Sequence, residues 1–196
     1  MSRHSRIVRT TKETTIEVIL ELDGMGRVEV ETGIGFFDHM LEQLGRHSGT
    51  DLQLRARGDL RVDQHHTVED CGLTLGAALA EALGDKRGIK RFGHALVPHD
   101  EALAEVALDL SGRPFLRYQV PPKMPSAGEF PPHLAHEFWK GFSTASGTTL
   151  HVLLREGKDP HHCLEAIFKA VGRALGDAIT LGERGSGEVP STKGVL

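Results

Sequence analysis

The chain has 196 residues, of which 39% are hydrophobic and 26% are charged, and its formal net charge is −4 with a pI near 6.3. This composition fits one folded unit, or two small halves that share a core, and no basic stripe suggests nucleic acid as a partner. No apolar run is long enough to cross a bilayer, and the N-terminal residues lack the apolar segment of a secretory signal. Cys71 and Cys163 are too few for a disulfide framework, so we expect reduced thiols and a cytoplasmic protein with no membrane partner.

Hydrophobic periodicity predicts the same succession of strands and helices twice along the chain. The predicted elements, in chain order, are strands at 16–22 and 27–31, a helix at about 37–47, a strand at 50–57, a helix at 65–83, strands at 104–110 and 114–120, a helix at about 133–145, a strand at 148–155 and a helix at 161–181. Strands precede helices in each half, and hairpin signals dominate. This order predicts an α+β fold in which helices pack on one face of mainly antiparallel sheets.

Matching segments show that one half of the chain duplicates the other. The segment DQHHTVED at 63–70 is repeated as DPHHCLEA at 159–166, and SGTDLQL at 48–54 as SGTTLHV at 146–152. Earlier in each half, EVILELDG at 17–24 echoes EVALDLSG at 105–112. We therefore expect a single domain, 1–196, made of two repeated halves at about 6–92 and 93–182 and a flexible tail at 183–196, which carries no periodicity.

The repeated HHxxE motif opens the last helix of each half. His65 and Glu69 are four residues apart and share a helix face, whereas His66 lies about 100° further around the helix. One metal ion could therefore take His65 with Glu69, and His66 would serve a different ion or none. A single pair of histidines often only caps a helix or pairs with an acidic residue, but two copies at matched places favour metal binding.

The duplication supplies further candidate ligands. In the register of the SGT segments, His39 corresponds to Glu137, and both lie at the start of a predicted helix. The metal ligands predicted from the repeat are His39, His65, His66, Glu69, Glu137, His161, His162 and Glu165. Four ligands for each of two sites, with open positions left, are typical of catalytic ions. Imidazole and carboxylate ligands without thiolate suit Mn²⁺, Fe²⁺, Zn²⁺ or Ni²⁺.

Motifs throughout the chain resemble one family. GIGFFDHML, DQHHTVEDCGL, LSGRP, SGTTLHV, DPHHCLEAIFKAVGRAL and STKGVL resemble imidazoleglycerol-phosphate dehydratase in its stand-alone form, from about Arg6 to Leu196. The resemblance implies a hydro-lyase of histidine biosynthesis with the fold of ribosomal protein S5 domain 2. It implies two βαβ-containing halves packed with their sheets side by side, and trimers that assemble into a 24-mer. It also implies active sites between subunits, with two Mn²⁺ ions in each.

One position departs from some relatives. Where they have a histidine, this chain has Glu137, preceded by His136. The repeat register favours Glu137 as the ligand, and His136 remains the alternative, about 100° away around the helix.

The resemblance also implies a mechanism and a set of substrate contacts. D-erythro-imidazoleglycerol phosphate would lose a carbon-bound proton and a hydroxyl to give imidazole-acetol phosphate, through a metal-stabilised imidazolate and a diazafulvene-like intermediate. Glu13 aligns with the acid/base of the family. The implied substrate-binding residues are Glu13, His39, Gln43, His47, Arg91, Arg113, Ser191, Thr192 and Lys193.

Two other functions fit the same residues. Paired ions also activate water, so a hydrolase that releases phosphate from the same substrate is one alternative. The other alternative is a metal-storing or shell-forming protein in which the ions only join subunits, and in which Arg91, Arg113 and Lys193 would be dispensable.

Overall fold

The structure is a computed structural model that describes residues 3–121, 123–182 and 188–194. Its elements, in chain order, are β1 (His4–Thr10), β2 (Thr14–Glu21), β3 (Val28–Glu31), α1 (Gly35–Ser48), β4 (Asp51–Gly58), α2 (His65–Leu83), β5 (Phe92–His99), β6 (Ala102–Asp109), β7 (Phe115–Gln119), α3 (His133–Ser146), β8 (Thr149–Glu156) and α4 (Pro160–Ile179). The first six elements and the last six follow the same order, which confirms the internally duplicated α+β fold. Residues 183–187, 195 and 196 of the expected flexible tail lie outside the described residues.

Two strands, β1 and β5, were not predicted from the sequence. Both lie at the edge of their sheet, where one long side of the strand has no partner strand. Polar side chains flank Val8 on the exposed face of β1, and Gly93 and Pro98 interrupt the apolar pattern of β5. Proline and polar residues are tolerated at sheet edges, and for the same reason they weaken the sequence signal of an edge strand.

Each half forms one four-stranded sheet. The strand orders are β1-β2-β4-β3 and β5-β6-β8-β7, and the only parallel pairs among the described strands are β3–β4 and β7–β8. The parallel pairs arise because α1 and α3 connect the strands as βαβ units. The sheets are therefore mainly antiparallel, as expected, with one parallel pair in each.

The helices lie between the two sheets, so the expectation that the sheets lie side by side is wrong. Helices α1 and α2 cover one face of the first sheet, α3 and α4 cover one face of the second, and the halves meet where α1 packs on α4 and α2 on α3. Glycines allow this close approach. A Cβ added to Gly76 would lie 2.5 Å from the carbonyl oxygen of Phe142, and one added to Gly172 would lie 2.8 Å from that of Leu44.

An aromatic cluster in the core joins helices α1, α3 and α4. Trp139 is fully buried, and its ring centroid lies 4.7 Å from those of Phe138 and Phe168. Phe37 stacks on Phe130, with ring centroids 5.9 Å apart. Because Phe37 stands near the start of α1, this packing fixes the helix end that carries the candidate site.

No helix in the described parts of the chain is long and apolar enough to cross a membrane.

Candidate active site

Three side chains from opposite halves converge at the N-terminal ends of α1 and α4. The Nε2 atoms of His39 and His161 lie 3.3 Å and 3.0 Å from Oε2 of Glu165. His161 and Glu165 are one turn apart on α4, while His39 reaches them from α1. The structure therefore brings together three of the predicted metal ligands, and their ligand atoms lie within 4.8 Å of one another.

Glu165 is buried and ionised in this cluster. Burial alone would raise its pKa, but hydrogen bonds from Lys169 and His39 outweigh that effect and lower the pKa to about 2. Lys169 Nζ lies 2.7 Å from Oε1, which leaves Oε2 to face the histidines. The carboxylate thus stays negatively charged, as a cation ligand must be.

His66 and His162, the second histidine of each motif, turn away from their neighbours as the helical geometry predicted. His66 Nδ1 lies 3.0 Å from Oδ2 of Asp59 and 3.7 Å from Oε2 of Glu13. His162 Nδ1 lies 2.7 Å from Oε2 of Glu101. The hydrogen bond to Asp59 raises the pKa of His66, and the hydrogen bond to Glu101 raises that of His162. A carboxylate that holds one ring nitrogen directs the other nitrogen outward, an arrangement common behind metal-binding histidines.

Sequence reasoning missed Asp59, Glu101 and His99. Glu101 could have been found, because the offset that relates the EVILELDG and EVALDLSG segments places it opposite Glu13. His99 lies 3.7 Å from Glu165 and, with Asp100 and His162, forms a further group of ligand atoms within 4.8 Å of one another. No motif in the sequence pointed to Asp59.

The matching ligands of the first motif are less closely gathered. His65 Nε2 lies 3.5 Å from Oε2 of Glu69, one turn along α2. Glu137 hydrogen-bonds its own neighbour, because its Oε1 lies 2.9 Å from His136 Nδ1. Burial tends to raise the pKa of Glu137, but hydrogen bonds from His136 and Lys140 lower it overall. His65, Glu69 and Glu137 do not form a three-ligand group among the described residues.

The donor set fits hard or borderline divalent cations. The three groups of ligand atoms are His39, His161 and Glu165; His99, Asp100 and His162; and Glu13, Asp59 and His66. All offer imidazole nitrogen or carboxylate oxygen, and both cysteines are free and buried outside these groups. Such ligands suit Mn²⁺, Fe²⁺, Zn²⁺ or Ni²⁺ and leave positions open for a substrate.

The two arginines expected at the phosphate meet at one carboxylate. Arg91 donates from Nε and Nη2 to Asp109 at 2.7 Å and 3.0 Å, and Arg113 Nη2 lies 3.6 Å from the same side chain. Arg91 Nη1 also donates to the carbonyl oxygen of Pro190 at 2.8 Å. The residues that follow Pro190 are the other expected phosphate ligands, Ser191, Thr192 and Lys193. The structure thus anchors the start of this segment on Arg91.

Gln43 and His47 follow His39 at one-turn intervals and share its face of α1. Burial, together with the nearby charges of Lys169 and Arg173, lowers the pKa of His47. Protonation of the His47 imidazole on this face of α1 is therefore disfavoured by its surroundings.

The duplicated sheets, the helices between them and the imidazole–carboxylate groups define an α+β enzyme with an acidic, histidine-rich site. A family model described as imidazoleglycerol-phosphate dehydratase matches residues 32–175. The chain is 55% identical over 196 residues to the imidazoleglycerol-phosphate dehydratase of Acidiphilium cryptum (strain JF-5), with 100% of both chains covered.

Solved structures give the same result. The dehydratase of Pyrococcus furiosus in complex with (S)-C348 superposes with a TM-score of 0.83 at 39% identity, over 97% of this chain and 100% of that one. The enzyme of Staphylococcus aureus superposes with a TM-score of 0.82 at 36% identity, over 91% and 99%. This chain belongs to the imidazoleglycerol-phosphate dehydratase family, and it is a hydro-lyase of histidine biosynthesis.

Proposed function

We propose that this chain dehydrates D-erythro-imidazoleglycerol phosphate in a reaction that depends on two divalent cations per active site, with Mn²⁺ as the first candidate. The observation that carries the proposal is the convergence of His39 and His161 on the buried, ionised Glu165. An ionised carboxylate removed from water is costly unless cations or hydrogen-bond donors surround it. Two imidazoles aimed at the same carboxylate oxygen complete a site that a divalent cation would stabilise.

The duplication suggests how the ligands divide between two ions. His39, His161 and Glu165 form one set, and the repeat relates them to Glu137, His65 and Glu69. We propose this second trio for the other ion, with Glu137 as the ligand and His136 as the residue that orients it by its hydrogen bond.

The directions of His66 and His162 support sites shared between copies of the chain. Both imidazoles face away from the trios and are held by Asp59 and Glu101. A histidine next to a ligand in sequence, but about 100° around the helix, is free to serve an ion held by a neighbouring copy. We therefore propose a homo-oligomer with active sites between subunits. The resemblance adds trimers that assemble into a 24-mer.

When bound, the two cations would act as Lewis acids at the ring nitrogens and favour an imidazolate that expels the hydroxyl through a diazafulvene-like intermediate. Glu13 is proposed to move the protons, because its carboxylate is exposed and stands 3.7 Å from His66. The product is imidazole-acetol phosphate.

The remaining candidates would bind the other end of the substrate. Guanidinium groups form paired hydrogen bonds to phosphate, so Arg91 and Arg113 would exchange part of their contact with Asp109 for the phosphate group. Lys193 would add a charge, and Ser191 and Thr192 would add hydroxyl donors. Gln43 and His47 would line the pocket beside His39.

The two free thiols support a cytoplasmic location, which is part of the proposal.

Metal analysis of purified chain tests the metal dependence directly. Protein stripped with a chelator, incubated with Mn²⁺ and desalted should retain two ions per chain. Glu165→Gln should retain fewer, because the carboxylate is lost while its volume is kept. Glu105→Gln is the control, since Glu105 pairs with Arg155 on exposed sheet surface. Wild-type protein that retains no Mn²⁺, or a Glu165→Gln variant that retains as much as wild type, would contradict the proposal.

A further inference from the structure

A polar triad of two buried residues, Thr14 and Asp70, and the partly exposed Arg9 lies beneath the turn that carries Glu13. Asp70 follows the metal-ligand candidate Glu69 on α2, but it points into the protein and is 8% exposed. Its Oδ2 accepts from the hydroxyl of Thr14 at 2.5 Å and lies 2.5 Å from Nη1 of Arg9. A buried carboxylate is costly without such partners, and this one has both a hydroxyl and a guanidinium.

Hydrogen bonds connect this triad to the backbone of Glu13. The Thr14 hydroxyl oxygen lies 3.2 Å from that of Thr11, and Thr11 Oγ1 accepts from the backbone N–H groups of Glu13 and Thr14 at 3.1 Å and 3.0 Å. Because the Thr14 hydroxyl donates its one proton to Asp70, its oxygen can only accept from Thr11, so the Thr11 hydroxyl donates to Thr14. The carboxylate therefore sets the direction of the whole chain of hydrogen bonds around the turn.

The corresponding turn in the second half of the molecule forms without a polar triad beneath it. The strand register relates Glu13 to Glu101, since β1 pairs with β2 as β5 pairs with β6. The counterparts of Arg9, Thr14 and Asp70 are small or apolar and buried: Val97, Ala102 and Ala166. A fully apolar packing is thus compatible with this fold, and the polar triad is a specific feature of the first half.

The two glutamates also differ in what their carboxylates do. Glu101 accepts from the backbone N–H groups of Lys158 and Asp159 at 3.1 Å and 2.8 Å, in addition to its bond with His162. These bonds, with that from Asp159 the strongest, lower the pKa of Glu101 to about 2. Glu13 accepts no backbone hydrogen bond among those of the described residues, and its 55% exposed side chain faces His66. The carboxylate of Glu101 is thus fixed by hydrogen bonds to the backbone. The turn of Glu13 is instead fixed by the hydrogen bonds through Thr11, Thr14 and Asp70, which leaves the Glu13 carboxylate free to contact a substrate.

We infer that Asp70, together with Arg9 and Thr14, forms a positioning triad that holds the Glu13 carboxylate in its working direction. After duplication, the first half kept a glutamate that is free to move protons, and the second half kept one that organises His162. The inference rests on the proposed acid/base role of Glu13, and its test separates the two.

The decisive variant replaces the three triad residues of the first half by residues of the kind found at the matching positions of the second half. Arg9→Val, Thr14→Ala and Asp70→Ala combined should fold and retain Mn²⁺, since the same trio packs in the other half. Its kcat should fall roughly tenfold or more, because small misplacements of a catalytic group cost orders of magnitude, while KM changes little. In a Glu13→Gln background the same three changes should cause no further loss of kcat. Arg6→Ala, which removes only the exposed ion pair with Glu17 on the same two strands, is the control.

Two single substitutions at Thr14 test the positioning role if the triple variant does not fold. Thr14→Val removes the hydroxyl at constant shape and should lower kcat, and Thr14→Ser, which restores the hydroxyl, should recover most of it. A triple variant, or Thr14→Val, with wild-type kcat would overturn the positioning role even if Glu13→Gln is inactive. An equal loss of kcat with and without the Glu13 carboxylate would also overturn it. Normal kcat in Glu13→Gln itself would instead remove the acid/base role of Glu13, and the inference with it.

Discussion

His39 and Glu165 lie 126 residues apart in sequence, yet Nε2 of one is 3.3 Å from Oε2 of the other. The contact exists because α1 of the first half packs along α4 of the second, with Gly172 and Gly176 admitting the backbone of α1 at close range. The candidate active site is therefore a product of the interface between the two duplicated halves. Changes that loosen this interface should disturb the site even when they lie far from it.

Gly76 tests the packing between the halves on the α2–α3 side. An added methyl group would lie 2.5 Å from the carbonyl oxygen of Phe142 and 3.0 Å from Cβ of Ala145, so the two helices must move apart. Gly76→Ala should lower the free energy of unfolding by about 1–3 kcal/mol, the usual cost of overpacking. Thermal or urea unfolding measures the change. Gly35→Ala is the control, because a Cβ there would meet nothing within 4 Å, and an equal loss at both positions would contradict the packing account.

Arg113 tests the proposed phosphate site. Its side chain is 68% exposed and touches Asp109 only at 3.6 Å, so its removal should leave the fold intact. Arg113→Ala should raise KM for the phosphorylated substrate roughly tenfold, as expected for one lost charge-assisted contact, with a smaller effect on kcat. Arg117→Ala, on the neighbouring strand β7, should leave KM unchanged. Steady-state kinetics on both variants test this prediction. If Arg113 were an ordinary surface residue, Arg113→Ala and Arg117→Ala would have the same KM.

Asp51 lies outside the candidate active site, and its hydrogen bonds should make the stability of the fold depend on pH. Its carboxylate accepts from the backbone N–H groups of Arg27 and Met25, and these bonds lower its pKa below 3.8. A carboxyl whose pKa is lower in the folded state stabilises the fold above its unfolded pKa, and loses that effect as pH falls through the folded value. Asp51→Asn should therefore unfold at a lower temperature than wild type at pH 7, and the difference should shrink below about pH 4.

The control for this prediction is Glu29→Gln on the adjacent strand, where the side chain is exposed. Its melting temperature relative to wild type should not vary in the same way with pH. A gap between wild type and Asp51→Asn that stays constant from pH 7 to about pH 3 would show that the two backbone hydrogen bonds do not depend on the charge.

The sequence predicted the features that depend on regular spacing. The α+β order, the helical starts of both HHxxE motifs and the divergence of His65 from His66 follow from helical and strand periodicity, and the duplication follows from matching segments at regular offsets. The edge strands escaped prediction for different reasons: polar residues on the exposed face blur the pattern of β1, and Gly93 and Pro98 interrupt that of β5. The side-by-side packing of the sheets was implied by the family resemblance, and it is wrong for this chain, because α1 packs on α4 and α2 on α3 and the helices therefore lie between the sheets. Local periodicity could not have corrected it, since the faces that two halves bury together are a long-range property.

The same distinction applies to the site. His39, His161 and Glu165 were predicted as ligands from the repeat, and the structure brings them together. Asp59 was missed because its role depends on the path of the loop between β4 and α2, which has no repeated motif. The positioning triad at Asp70 was missed for another reason: it appears only where the two halves differ, whereas the repeat was used to find what they share.

Turnover on metal-free protein tests the central claim most directly. Chelator-treated chain would be assayed with imidazoleglycerol phosphate before and after addition of Mn²⁺, and both the ketone and inorganic phosphate would be measured. We predict no turnover without the ion, restored turnover with it, and imidazole-acetol phosphate that keeps its phosphate. Full activity without a divalent cation would contradict the metal-dependent account, and release of inorganic phosphate in place of the ketone would show a hydrolase.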